Sequence, residues 1–140
     1  MVLLLDAGAL YAQADRADPQ HQAVVDILRA EPGPLLSSQI TVAEADYLIL
    51  TRLGVEVELA FLQDLAAGTF VAECLSREEL GLALDVARRY RSLELGVADA
   101  ALVVLAHRYK TQRLLTFDER AFRTVIPLQG GAFTLLPTDR

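Results

Sequence analysis

Two aspartates stand at points where apolar runs of the chain end. Asp6 directly follows the run at 2–5, and Asp118 follows a second run that ends at Thr116. Short continuous apolar runs of this kind predict buried strands. In parallel α/β sheets the functional crevice lies beyond the carboxyl ends of the strands. We therefore expect both carboxylates at the same edge of a sheet.

Two further acids lie early in predicted helices. Asp99 belongs to a predicted helix at 97–110, and its neighbours on the same helical face are apolar. A carboxylate on an apolar face costs free energy unless another group pairs with it. Glu44 lies near the start of a predicted helix at 41–53. Each acid could singly be a helix cap or a first-turn residue that favours the helix dipole.

Taken together, the four acids predict a cation site. None of their segments places a Lys or His beside them. Clustered carboxylates raise one another's pKa unless a cation is present, and oxygen-only ligands suit Mg²⁺ or Mn²⁺. Such an ion can orient a phosphodiester and lower the pKa of an attacking water. The Thr116 hydroxyl could hold a carboxylate or a water nearby.

The elements that must position these acids alternate along the chain. Predicted strands lie at 2–5, 35–36, 69–74, 113–116 and 133–136, the last as a closing hairpin strand. Predicted helices lie around Leu10, from Asp18-Pro19 to the break at 31–34, at 41–53 and 56–67, from a Ser76 capping box to about Arg91, and at 97–110 and 118–122. This alternation predicts one α/β domain over residues 1–140, with a mostly parallel sheet between two helical layers.

Composition narrows the class of protein further. The net charge of −6 argues against broad, non-specific DNA binding, though not against local basic contacts. The single cysteine, Cys74, excludes an intramolecular disulfide and a thiolate metal site. No apolar run approaches the roughly 20 residues of a membrane helix, and the opening residues lack the features of a signal peptide. We expect a cytoplasmic protein.

Four segments in order resemble the sequence motifs of the PIN-domain family. They are Leu-Leu-Asp6-Ala-Gly-Ala-Leu, Val42-Ala-Glu44-Ala-Asp-Tyr-Leu, Val97-Ala-Asp99-Ala-Ala-Leu-Val-Val-Leu-Ala and Leu115-Thr116-Phe-Asp118-Glu-Arg-Ala-Phe122. Each segment is weakly specific alone, but their order and spacing span the whole chain. The short length resembles the VapC ribonuclease toxins within that family.

The resemblance implies a PIN fold and a Mg²⁺-dependent endoribonuclease that inhibits translation by cutting tRNA or the sarcin–ricin loop of ribosomal RNA. It also implies a homodimer that a small VapB-like antitoxin neutralises. By position, the catalytic and metal-binding residues would be Asp6, Glu44, Asp99 and Asp118. Ala7 departs from the Thr or Ser that often follows the first Asp. Residue chemistry alone does not separate Glu44 from Asp46.

Basic and aromatic side chains near these motifs could contact RNA. Candidates for the RNA backbone are Arg108, Lys110, Arg113, Arg120 and Arg123, which flank the third and fourth motifs. Candidates for stacking on unpaired bases are Tyr11, Tyr47 and Phe117, although core packing is the simpler interpretation of each.

Other functions fit the sequence less well. A haloacid-dehalogenase-type phosphatase needs a second Asp two residues after Asp6, where this chain has Gly8. A response-regulator receiver needs a Lys near its end, whereas the only Lys here is Lys110, before the penultimate predicted strand. A PIN-like module that binds RNA or protein without cutting remains an alternative. Such a module would tolerate loss of one or more acids, and all four are present.

Overall fold

A computed structural model describes residues 1–140 and contains one five-stranded sheet. The strands are β1 (Leu3–Leu5), β2 (Leu35–Ser38), β3 (Val71–Glu73), β4 (Arg113–Leu115) and β5 (Thr134–Leu136). Their order across the sheet is β3-β2-β1-β4-β5, and every neighbouring pair is parallel. The central strand β1 is fully buried, as expected for a parallel sheet covered on both faces.

Seven α-helices and one 3-10 helix connect and cover the strands. They are α1 (Ala7–Ala14), α2 (His21–Ala30), α3 (Gln39–Leu53), α4 (Val55–Ala66), α5 (Arg77–Arg89), the 3-10 helix Arg91–Leu93, α6 (Gly96–Tyr109) and α7 (Glu119–Thr124). The predicted capping box is present, because Ser76 Oγ accepts from Glu79 N and Glu79 Oε1 accepts from Ser76 N. None of these helices is long and apolar enough to span a membrane.

The side chains of the strands alternate between two hydrophobic clusters. Leu4 and Leu114 point into the cluster that also contains residues of α5, α6 and α7. Leu3, Leu5 and Leu115 point into the opposite cluster, with residues of α1, α2, α3 and α4. This period of two places one helical layer on each side of the sheet. The predicted three-layer α/β/α architecture is therefore confirmed.

Two predictions about the ends of elements were wrong. The segment at 133–136 does not close a hairpin, because β5 runs parallel to β4. The chain between the two strands includes α7. It returns to the edge of the sheet where β4 begins through a turn at Gly130 and Gly131, both of which have positive φ. Pro19 does not begin α2, which starts two residues later. Asp18 instead closes the preceding turn, where its carboxylate accepts from Gln20 N at 2.8 Å.

Candidate acidic metal site

Asp6 is held rigidly at the carboxyl end of β1. Its Oδ1 accepts from Ala9 N at 2.8 Å, so Asp6 caps α1, while its Oδ2 accepts from the Thr116 hydroxyl. The residue is only 6% exposed. Burial raises the pKa of Asp6 to about 6, even though both hydrogen bonds lower it. A carboxylate with an elevated pKa and free lone pairs is suited to receive a cation.

Thr116 and Asp118 form the neighbouring part of the site. Thr116 is buried at the end of β4, and its hydroxyl accepts from Asp118 N at 3.0 Å while donating to Asp6. Asp118 caps α7 by accepting from Ala121 N at 3.2 Å. Asp6 and Asp118 therefore each cap a helix, as the sequence allowed. They also lie close to each other, because the parallel strands β1 and β4 that they follow are direct neighbours.

Asp99 approaches this edge from a different element. It lies in the first turn of α6, whose N-cap position is Leu95, so it is not a capping residue. Burial raises the pKa of Asp99 to about 7, and the charges of Asp6, Asp118 and Glu44 add to the increase. The four predicted site residues therefore lie within electrostatic reach of one another.

The family resemblance selected Glu44 over Asp46, and the structure places the two residues on different faces of α3. Glu44 is exposed on the face of α3 toward the acidic site, where its charge raises the pKa of both Asp6 and Asp99. Asp46 lies two residues on, which is the far side of an α-helix. It faces Glu58 of α4, whose pKa it raises. Its Oδ1 is buried without a hydrogen-bond partner.

The donor set of this site fits a hard divalent cation. All five ion pairs of the chain involve Arg108, Arg113 or Arg123, and none includes a site carboxylate. The four acids are thus without a neutralising cation from the protein. No three acidic, histidine or cysteine side chains converge closely enough to enclose an ion as they stand. Oxygen ligands of this charge suit Mg²⁺ or Mn²⁺.

The sequence-based predictions did not include two buried serine hydroxyls, of Ser37 and Ser38, that support the elements carrying the site. Ser37 Oγ donates to Leu5 O at 2.7 Å, which ties β2 to the end of β1 beside Asp6. Ser38 caps α3 by accepting from Thr41 N at 2.9 Å and thereby fixes the helix that carries Glu44. The signal was available, because a Ser at the end of an apolar strand and before a helical segment is a typical N-cap.

The predicted RNA-contacting cations divide into two groups. Arg108 is bound to Glu73 at 3.0 Å and Glu79 at 2.6 Å. Arg113 and Arg123 are likewise held in ion pairs within the chain. Lys110 and Arg120 are exposed and have no ion-pair partner. Arg120 lies in the first turn of α7, the helix that Asp118 caps.

Comparisons with known proteins agree with this architecture. Residues 3–126 match the family model described as PIN domain. The chain is 41% identical to Ribonuclease VapC26 of Mycobacterium tuberculosis (strain ATCC 25618 / H37Rv) over 135 residues, which cover 96% of this chain and 100% of that protein. It superposes with a TM-score of 0.78 on the crystal structure of Mycobacterium tuberculosis VapC20, described as a sarcin–ricin loop cleaving toxin. That match covers 85% of this chain and 91% of the other at 16% identity, which shows the fold alone.

Proposed function

Because the chain belongs to the PIN-domain family, we propose that it is a divalent-metal-dependent endoribonuclease and the toxin of a VapBC-type pair. The observation that carries the proposal is that Asp6, Glu44, Asp99 and Asp118 lie within electrostatic reach at one edge of the sheet, and that no ion pair of the chain neutralises them. Full-length similarity to a protein named Ribonuclease VapC26 supports the choice of RNA as substrate. The activity would be exercised in the cytoplasm, where its RNA targets are.

In this proposal Asp6 and Asp99 hold Mg²⁺ or Mn²⁺, and Glu44 and Asp118 assist directly or through water. When bound, the ion would supply charge neutralisation at the phosphodiester and activation of a water molecule. Thr116 and the Ala9 amide orient the two oxygens of Asp6. The apolar residues packed around α6 keep Asp99 partly desolvated, so its carboxylate interacts strongly with charge.

The substrate is a structured RNA, such as tRNA or ribosomal RNA, whose cleavage stops translation. An overall charge of −6 gives no long-range attraction to RNA. Recognition therefore depends on local contacts, with Arg120, in the helix that Asp118 caps, as the phosphate-binding cation of the predicted set. Lys110 is also exposed, but it lies at the opposite end of α6 from Asp99. Arg108, Arg113 and Arg123 contribute to RNA binding only if they exchange their intramolecular ion pairs for phosphate.

A small VapB-like antitoxin is the proposed regulatory partner, and a homodimer the proposed assembly. Large apolar side chains remain exposed on α3 and α4, including Leu50, Val55, Leu59 and Leu62. We infer that these side chains form part of an interface. A guanidinium of the antitoxin inserted among the carboxylates would pair with them bidentately and occupy the position of the cation.

A catalytically inactive RNA- or protein-binding module is the alternative. The two proposals are separated by incubating the chain with total RNA in Mg²⁺ or Mn²⁺. The enzyme should cut endonucleolytically, and both EDTA and Asp99→Ala should abolish cutting. RNA binding without metal-dependent cutting would support the binding module instead, and cutting in EDTA would contradict the metal-dependent mechanism.

A further inference from the structure

Three arginines lie close together in the chain where α5 ends. Arg88 and Arg89 are in the last turn of α5, and Arg91 begins the 3-10 helix that follows. All three are exposed, and none has an ion-pair partner within the chain. The nearest acids in the sequence, Asp85 and Glu94, form no ion pair with them. This arginine cluster is therefore a local concentration of unpaired positive charge in a chain of net charge −6.

Local contacts orient two of the guanidinium groups without neutralising them. Arg91 Nε donates to Arg88 O at 3.2 Å and so satisfies a carbonyl at the end of α5. The guanidinium of Arg89 lies over the ring of Tyr90, 5.7 Å from its centroid. The dipole of α5 favours cations at this position, but it leaves their other N–H donors free. Oriented guanidinium groups with free donors are suited to bind phosphate oxygens.

The packing of α5 on α6 turns the arginine cluster toward the end of α6 that carries Asp99. Arg108, in the last turn of α6, binds Glu79 in the first turn of α5 at 2.6 Å. The two helices are therefore antiparallel, and the end of α5 lies toward the start of α6. Asp99 is in the first turn of α6, so the cluster and this acid belong to the same end of the helix pair.

The end of α5 is also joined to the chain that follows α7. Tyr90 Oη accepts from Ile126 N at 3.1 Å. The helix α7 is capped by Asp118 and carries the unpaired Arg120 in its first turn. Residues of α5, α6 and α7 share one hydrophobic cluster, whereas α3, which carries Glu44, packs on the opposite face of the sheet. The arginine cluster therefore flanks the acidic site on the side of α6 and α7.

We propose that the arginine cluster binds backbone phosphates of the RNA on this side of the acidic site, away from the bond that is cut. This inference rests on the proposed ribonuclease function and deepens it. A chain of net charge −6 repels a polyanion, so cations outside the acidic site must offset that repulsion. Guanidinium groups pair bidentately with phosphate oxygens, and such contacts position the RNA without reading its bases.

The test compares two triple variants that each lose three positive charges. The cluster variant combines Arg88→Gln, Arg89→Gln and Arg91→Gln. The control variant neutralises three other exposed arginines without ion-pair partners, which are Arg29, Arg52 and Arg77. The control also loses similar local contacts, because two of its arginines end helices and one of them lies over an aromatic ring.

Both variants are assayed on a short RNA hairpin that spans the cut site mapped on total RNA. The cluster variant should raise KM about ten-fold at low salt, with kcat and Mn²⁺ affinity unchanged. The slope of log KM against log salt concentration should fall by about 2, since each phosphate contact to a single strand contributes about 0.7. The control variant should leave both KM and this slope near the wild-type values.

Two further variants separate phosphate binding from a structural role. Replacing all three arginines of the cluster by Lys keeps the charge and should recover most of the RNA affinity. Arg89→Gln alone leaves the contact of Arg91 with Arg88 intact and should still raise KM about two-fold. Thermal unfolding of each variant should match that of the wild type.

Trimming the hairpin on either side of the cut bond locates the bound phosphates. For the wild type, shortening one side should raise KM about as much as the cluster variant does, and the two changes combined should give no further increase. Equal KM values for the cluster and control variants, with normal cutting, would overturn this inference alone. Normal KM with loss of a protein complex would identify the cluster as a protein-docking surface and would also overturn it. A wild type that neither binds nor cuts RNA would overturn the inference and the proposed function together.

Discussion

The Thr116 hydroxyl donates a hydrogen bond to Asp6 Oδ2 although the two residues are 110 positions apart in the chain. The pairing of β1 with β4 makes this contact possible, because Leu5 lies beside Leu115 and places the two following residues together. The same hydroxyl accepts from Asp118 N. One threonine therefore fixes two of the four acids, and its loss should affect the whole site.

Thr116→Val should weaken metal binding and RNA cutting while keeping the shape of the side chain. Without the hydroxyl the buried Asp6 carboxylate loses a hydrogen bond that lowers its pKa, so its pKa should rise. We expect about a ten-fold loss of Mn²⁺ affinity and a stability loss of about 1–3 kcal/mol. Mn²⁺ titration and urea unfolding measure the two effects. Thr116→Ser keeps the hydroxyl and should resemble the wild type; equal behaviour of Val and Ser would contradict the positioning role.

The metal ligands are tested by a matched pair on one helix. Glu44 faces the acidic site, and Asp46 faces Glu58. Glu44→Gln should therefore reduce Mg²⁺ or Mn²⁺ affinity, whereas Asp46→Asn should leave it unchanged. Larger reductions are expected for Asp6→Asn and Asp99→Asn, the proposed principal ligands. Isothermal titration with Mn²⁺ measures all four, and unchanged affinity in both aspartate variants would refute the proposed site.

Stability of the metal-free protein should depend on pH through Asp99. The pKa of its carboxyl is raised from 3.8 to about 7 in the folded chain, so the unfolded chain loses this proton at lower pH than the folded one. The resulting destabilisation is absent below pH 3.8, grows through the window up to pH 7, and is complete above it. A pKa difference of one between the folded and unfolded chains corresponds to about 1.4 kcal/mol. Solvent screening at this partly exposed residue reduces the total, and we expect about 1–2 kcal/mol.

Asp99→Asn removes that penalty, so it should stabilise the metal-free protein at pH 8 and have little effect at pH 4. Urea unfolding in EDTA at both pH values measures the difference. Asp85→Asn, on the exposed surface of α5, is the control for the loss of one negative charge. A variant of Asp99 that is no more stable than this control at pH 8 would show that neither burial nor carboxylate repulsion destabilises the charged form of Asp99.

Much of this arrangement could be predicted from the sequence, because it depends on strand ends. Asp6 and Asp118 follow apolar runs, and the parallel sheet brings such positions to one edge. The choice of Glu44 over Asp46 came from the family resemblance, because residue chemistry alone does not show which face of α3 packs against α4. The direction of β5 was predicted wrongly because glycines at 130–131 suggest a hairpin but do not determine which strand is paired.

Which arginines form ion pairs within the chain also could not be predicted from the sequence. Arg108 lies nine residues after Asp99 on α6, a distance of about 14 Å along the helix, and it binds Glu73 and Glu79 from distant segments. Arg108→Ala should therefore lower stability by about 1–3 kcal/mol and leave KM for RNA nearly unchanged. Arg120→Ala should do the reverse, raising KM several-fold without loss of stability. Thermal unfolding and steady-state cleavage measure these effects, and a larger KM increase for Arg108→Ala would contradict the assignment.

The partner surface can be tested independently of RNA cutting. A groove of about 660 Å³ runs between α1, α2 and α4. Its lining includes the apolar Val57 and Phe61 and three carboxylates, together with Arg16 and His21; the carboxylates are Asp15, Glu56 and Asp64. Because the carboxylates outnumber the single arginine, the groove complements a segment that carries both apolar and basic residues, as expected of an antitoxin that also delivers an Arg to the acidic site. Asp64→Lys reverses one charge near the carboxyl end of α4, where a cation also favours the helix dipole.

We therefore expect Asp64→Lys to fold normally, to cut RNA like the wild type, and to bind the product of a small neighbouring gene at least ten-fold more weakly. Asp85→Lys on α5 is the matched charge reversal and should bind that product normally.

In the wild-type complex RNA cutting should be lost, and changing the inserted Arg of the partner to Ala should restore cutting while the complex persists. Light scattering would show whether the free chain is a dimer. Normal binding by Asp64→Lys would exclude the groove as the docking surface, and the absence of any complex would remove the support for a toxin–antitoxin pair while leaving the nuclease proposal intact.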